Sequence, residues 1–239
     1  MIEGLPVHVS FVFFLTTLLS VWFLVSAVRK AAESSTPYRI LVFLVPLWML
    51  LTGYLATTDF YRYSEAIPPR VVAFGVLPSV FVIAIYFVAF RGFIDSLPLT
   101  TLTILHVVRI PVELVLLWLY QNGQVPILMT FEGWNFDILS GITAPIIYWI
   151  AFRRGRINRT LLILWNLAAL GLLINIVTIA VLSFRTPFQR LAFDQPNVGV
   201  THLPFIWLPA IIVPIVLFAH LAALYKLFGR VPRASIPTR

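Results

Sequence analysis

Three ionisable residues stand inside one otherwise apolar run: His106, Arg109 and Glu113 in LTTLTILHVVRIPVELVLLWLY, residues 99–120. At about 100° per residue they fall on one helical stripe roughly 60° wide. Tyr120 extends that stripe to the end of the run. Arg109 and Glu113 are spaced i,i+4, so they are expected to pair along the helix. Pro111 lies between them; it cannot donate to the carbonyl of Val107, and a kink is expected there. An arginine can hold an anion or fix a carboxylate, a glutamate can take a cation or a proton, and a histidine can serve as acid, base or ligand. The chemistry expected is binding or movement of a small solute or ion. The alternatives are acid–base catalysis on a lipid-like substrate and an interhelical clamp in a non-catalytic membrane subunit.

The segment that follows reads QNGQVPILMTFEGWNFDILSGITAP, residues 121–145. Glu132, Asn135 and Asp137 cluster just before a short apolar run. Asn135 or Asp137 is expected to cap that helix by accepting from its free N–H groups. Gly141 and Pro145 permit close packing and a bend. Residues 125–136 are expected to fold over the sunken start of this helix, bringing Glu132 and Asp137 to the mouth of a pocket shared with Glu113. The plainer alternative is an interfacial loop anchored by Trp134.

Cysteine is absent, which excludes disulfides, thiol nucleophiles and Cys-based metal sites. Four histidines remain. His106 and His220 lie at matching depths in their runs, so a shared metal or a haem between them is open. Two ligands are few for zinc, which takes three or four. His8 and His202 are likewise matched and, with Asp194, form a second weak candidate. No cofactor follows from the sequence, and no G-x-S-x-G, H-E-x-x-H or phosphate loop is present.

The elements that must position these residues are membrane helices. The chain has 239 residues, 60% hydrophobic and only 11% charged, where a soluble domain carries about 25% charged residues. A soluble globular domain and a disordered chain are both excluded. A hydrocarbon core about 30 Å thick needs roughly 20 apolar residues per helix. Seven runs approach that length, at about 8–28, 40–57, 71–90, 99–120, 137–152, 161–184 and 203–228. The expected fold is all-α: a polytopic integral membrane protein with seven transmembrane helices, forming a single domain over 1–239.

Charge placement orients it. Arg29 and Lys30 follow the first run, the reverse of a cleaved signal peptide. With seven spans, Arg62, Arg70, Arg185 and Arg190 fall on one side, Arg109 is intramembrane, and the other twelve of the seventeen basic residues fall opposite. That bias puts the N-terminus outside and the C-terminus in the cytoplasm of a plasma (inner) membrane. The acids segregate the other way: Glu3, Asp59, Glu65, Glu132, Asp137 and Asp194 are all on the outer side. The net charge of +8 is thus explained by orientation, not by nucleic acid. The partners expected are the lipid bilayer and a small solute or ion.

Overall fold

A computed structural model describes residues 2–62, 66–153 and 157–229. Glu65 and the bases Arg154, Arg156, Arg230, Arg233 and Arg239 lie outside the described residues. Those described form helices and connections, with no strand among them. In order they are α1 (Val7–Ala32), α2 (Thr36–Thr57), α3 (Leu77–Ala89), α4 (Arg91–Ser96), α5 (Leu99–Ile104), α6 (Arg109–Gln121), α7 (Ile138–Ala151), α8 (Arg159–Leu182) and α9 (Val213–Phe228). A π-helical turn, Val72–Val76, leads into α3, and a second, Leu208–Ile212, leads into α9.

Six continuous helical runs are long and apolar enough to cross a membrane: Val7–Ala32, Thr36–Thr57, Val72–Ala89, Leu99–Gln121, Arg159–Leu182 and Leu208–Phe228. The seventh apolar helix, α7, has 14 residues and spans roughly 21 Å, short of a bilayer core. The Leu99–Gln121 and Leu208–Phe228 runs are the most buried and form the centre; Thr36–Thr57 and Val72–Ala89 are the least buried and lie at the periphery.

Proline shapes the two central runs. Between α5 and α6 the Leu99–Gln121 run tightens into a 3₁₀ turn at Leu105–Val108, the local cost of the missing Pro111 donor. In the last run Pro214 cannot donate to the carbonyl of Ala210. The Ser79 hydroxyl of α3 donates to that carbonyl at 3.0 Å instead, so a side chain from a neighbouring helix satisfies what the proline freed.

The chain between α6 and α7 returns into the bundle. Met129, Thr130 and Asn135 are buried, and the Trp134 carbonyl accepts from Asn175 Nδ2 of α8 at 2.8 Å. Gly133 is required here, since a Cβ would stand 2.2 Å from the Ile127 carbonyl oxygen. Helix α7 therefore begins beside the middle of the Leu99–Gln121 run rather than at its end. It crosses that run closely: a Cβ on Gly141 would lie 2.8 Å from Ile110 Cγ1 and 3.0 Å from the Ile110 nitrogen.

Candidate functional site

Arg109 opens α6 just after the 3₁₀ turn, and only 2% of it is exposed. Its Nη1 pairs with Asp137 Oδ1 at 2.9 Å and donates to the Ala169 carbonyl of α8 at 3.2 Å. Its Nη2 meets His220 Nε2 of α9 at 3.1 Å. The ion pair thus runs to Asp137 across helices, and not along the helix to Glu113 as the i,i+4 spacing suggested. The close crossing at Gly141 explains the choice: it brings the start of α7 against Arg109, whose Cβ lies 3.3 Å from where a Gly141 Cβ would be.

Glu113 has a separate partner. Asn135 Nδ2 donates to both of its carboxylate oxygens at 2.7 Å and to the Met129 carbonyl at 2.9 Å. Asn135 Oδ1 accepts from the Asp137 backbone N–H at 3.0 Å, the Asx turn that directs the chain into α7. Asp137 stands at the N-cap position without a side-chain capping bond, since its carboxylate is spent on Arg109.

The histidines complete the cluster. Asn166 Nδ2 donates to the Leu162 carbonyl at 2.8 Å, which leaves Asn166 Oδ1 facing His220 Nδ1 at 2.9 Å. The network assigns His220 as the Nδ1–H tautomer, presenting its Nε2 lone pair to Arg109. His106 stacks on His220, with ring centroids 3.9 Å apart and planes at 20°, and meets the edge of Trp165 at 5.3 Å. Their depths match as the sequence suggests. The rings are in van der Waals contact, however, so no haem fits between them, and both nitrogens of His220 are engaged. His8 stands edge-on to Trp118, and His202 Nδ1 lies 3.1 Å from the Val198 carbonyl. Among the described residues, no group of three or more His, Asp or Glu side chains is placed to hold a metal.

Of the residues selected by sequence, the structure brings together His106, Arg109, Glu113, Asn135 and Asp137. Tyr120 is half-buried and contributes its carbonyl, which accepts from Gln195 Nε2 at 3.0 Å, rather than its phenol. Glu132 is exposed and does not enter the cluster. The additions are Asn166 and the Ala169 carbonyl on α8. Asn166, polar within an apolar helix, carried a signal that could have been read.

A cavity of about 80 Å³ adjoins the cluster. Arg109, Glu113 and Asp137 line it together with Leu116, Ile176, Ala180, Asn197 and Val200. Both π-helical turns contribute to its wall through Val72, Val76, Leu208 and Ile212. Asn197 is buried, and its Oδ1 has no hydrogen-bond partner.

A family model described as a domain of unknown function (DUF8737) matches residues 67–228, about two thirds of the chain, and takes in every residue of the cluster. No curated protein and no solved structure matches the chain.

Proposed function

We propose that this chain, which belongs to the DUF8737 family, is a multi-pass membrane protein that binds and moves a small cation, with Glu113 as the binding group. The observation that carries this reading is a charge count. Arg109 is matched by Asp137. Glu113 is a second buried carboxylate whose side-chain donor is the neutral Asn135, and it lines a cavity. A carboxylate in excess, away from water, calls for a positive charge beside it, a proton or an alkali-metal ion. A short helix starting mid-bundle after re-entrant backbone is also how membrane carriers build ion sites.

In this reading residues 125–151 supply the seventh passage, the cavity opens towards the outer side past Asn197, and the basic residues set the N-terminus outside and the C-terminus in the cytoplasm of the plasma membrane. The native chain has no cysteine, so single cysteines report topology directly. Phe193→Cys is expected to react with an impermeant thiol reagent in intact cells, and Ser96→Cys only after lysis. The reverse pattern overturns the orientation.

The functional test compares wild type with Glu113→Gln in proteoliposomes, reading proton, sodium and potassium flux separately. The expected result is a flux of one of these cations that the substitution abolishes while thermal melting is retained. Flux that is absent from wild type, or equal in the two proteins, sinks the reading. The closed Arg109–Asp137 pair favours a second reading, a structural membrane subunit without transport, and that is what a flux-free but well-folded wild type would leave.

A further inference from the structure

The bundle holds a second, larger cavity, of about 200 Å³, among α1, α2, α3 and α9. No charged side chain lines it. The polar atoms of its lining side chains are the Ser79 and Tyr86 hydroxyls, which donate to the Ala210 and Pro37 carbonyls, and the Trp48 indole nitrogen, buried without a partner. It offers a cation no counter-charge. The cavity of about 80 Å³ beside Glu113 does, and its chemistry decides which cation Glu113 can take.

Membrane proteins hold alkali-metal ions with several oxygens that together replace the water shell. That set is missing here. Among the described residues that line the cavity, four have polar side chains: Arg109, Glu113, Asp137 and Asn197. Arg109 is itself a cation, and Asp137 is committed to it at 2.9 Å. The stretches of α8 and α9 that line the cavity contribute only aliphatic side chains. Two backbone carbonyls that reach the cluster are engaged as well, Met129 by Asn135 and Ala169 by Arg109.

Glu113 itself is closed to a metal ion. Asn135 Nδ2 stands 2.7 Å from each of its carboxylate oxygens, in the place between them that a chelated ion would take. Asn135 is not free to swing aside, since its Nδ2 also donates to the Met129 carbonyl and its Oδ1 accepts from the Asp137 N–H. A proton needs no shell and only one lone pair, and each carboxylate oxygen carries about two. A protonated Glu113 is neutral, as aliphatic walls require, and leaves the Arg109–Asp137 pair balanced. A bare alkali-metal ion would stand beside the Arg109 guanidinium with neither water nor oxygens around it.

We propose that the cation is a proton, bound on a carboxylate oxygen of Glu113, and that the site excludes sodium and potassium. This rests on the cation reading above and narrows it. Binding forms one O–H bond on Glu113 and breaks none in the chain; the proton comes from hydronium, leaving water, and returns to water on release. Only the identity of the ion is inferred, and no route is assigned.

The test is infrared difference spectroscopy across a pH titration of the purified chain in nanodiscs, in choline, sodium and potassium buffers. Arg109 and Asp137 are the other ionisable groups that face the cavity, so the Glu113 contribution is isolated as the carboxylic-acid band present in wild type and absent from a cooperatively melting Glu113→Gln. Its midpoint is expected to be the same in all three buffers. An ion competing for the carboxylate would move the midpoint by about one pH unit for each tenfold rise in its concentration above the dissociation constant. Such a shift overturns the proposal, as does a wild type without a carboxylic-acid band that Glu113→Gln removes. In proteoliposomes, a Glu113-dependent proton flux in choline buffer, unchanged by sodium or potassium, is expected. Glu113-dependent sodium or potassium flux overturns the proton assignment and leaves the cation reading standing, whereas absence of any cation flux removes both.

Discussion

The two cavities are built on opposite principles. At the centre, α6, α8, α9 and a returning loop converge their polar atoms, Arg109 with Asp137, Ala169 and His220, His220 with Asn166, and Asn135 with Glu113, while both ring nitrogens of His106 and the Arg109 Nε have no hydrogen-bond partner. At the periphery, α1, α2 and α3 meet α9 across aliphatic and aromatic faces, with one donor left over. The central one lies wholly within the part of the chain that the family model matches, while α1 and α2, which wall the peripheral one, precede it. Directional bonds fix one geometry and fail sharply when a member is lost. Apolar walls tolerate substitution as long as volume is kept. The central region should therefore respond to single changes by several kilocalories, and the peripheral region by about one or less.

The largest expected effect is at the ion pair. The side chains of Arg109 and Asp137 are only 3% and 7% exposed. Removing one member of a buried pair costs about 3–5 kcal/mol because the other is stranded, whereas replacing both by apolar groups is often neutral. Asp137→Leu and Arg109→Leu should each lower stability by that amount in detergent melting, and the double variant should recover most of it. Small single losses would mean that water reaches the pair, and the contrast between the two regions would collapse.

Close crossing gives the next effect. Gly141→Ala places a methyl 2.8 Å from Ile110 Cγ1 and 3.0 Å from the Ile110 backbone nitrogen. The backbone atom cannot rotate away, so α7 must shift, at about 1–3 kcal/mol. Gly171 of α8 has no atom within 4 Å of its would-be Cβ, and Gly171→Ala should instead stabilise by roughly 0.5–1 kcal/mol through helix propensity. Equal responses at the two glycines would show that α7 is not locked against α6.

At the apolar cavity the corresponding change is smaller. Ser79→Ala removes the donor to the carbonyl that Pro214 freed, and about 1 kcal/mol should be lost. A loss matching that of the ion pair would mean that the peripheral region is as sharply specified as the centre.

Helical class and the polar stripe were legible because lipid demands long apolar runs and tolerates intramembrane charge only where it has a partner. His106, Arg109 and Glu113 announced themselves as exceptions in a run that otherwise has none. A local disturbance before Pro111 was legible for the same kind of reason, and it takes the form of the 3₁₀ turn at Leu105–Val108. Partner choice was not. Spacing along a helix records only neighbours on that helix, and Arg109 pairs across to Asp137 because Gly141 lets α7 approach. The sequence put Glu132 at the mouth of the pocket and offered Asn135 as a helix cap, whereas in the structure Asn135 meets Glu113 and Glu132 is exposed. The Asx turn and the Gly133–Ile127 packing decide between them, turning Asn135 inwards and Glu132 out. The apolar cavity left no trace in the sequence, since its walls consist of residues that any buried helix face would use.

The smallest expected effect lies at the seam between the regions. His202 Nδ1 faces the Val198 carbonyl, in the loop that includes cavity-lining Asn197 and Val200. The next residue, Leu203, packs on α2, with its Cδ1 3.4 Å from where a Cβ on Gly53 would sit. Burial, and then the positive charge of Arg62, hold the His202 imidazole below its ordinary value of 6.5. The unfolded chain therefore takes up this proton before the folded one does. Stability is fully present above 6.5, falls as pH drops through that value, and stops falling once pH is below the lowered folded value. Melting temperature should decline gently on acidification in wild type, and the His202→Gln variant should decline less over the same window. An identical decline in both proteins would place the acid sensitivity elsewhere, and the seam would then carry no charge-dependent link between the two cavities.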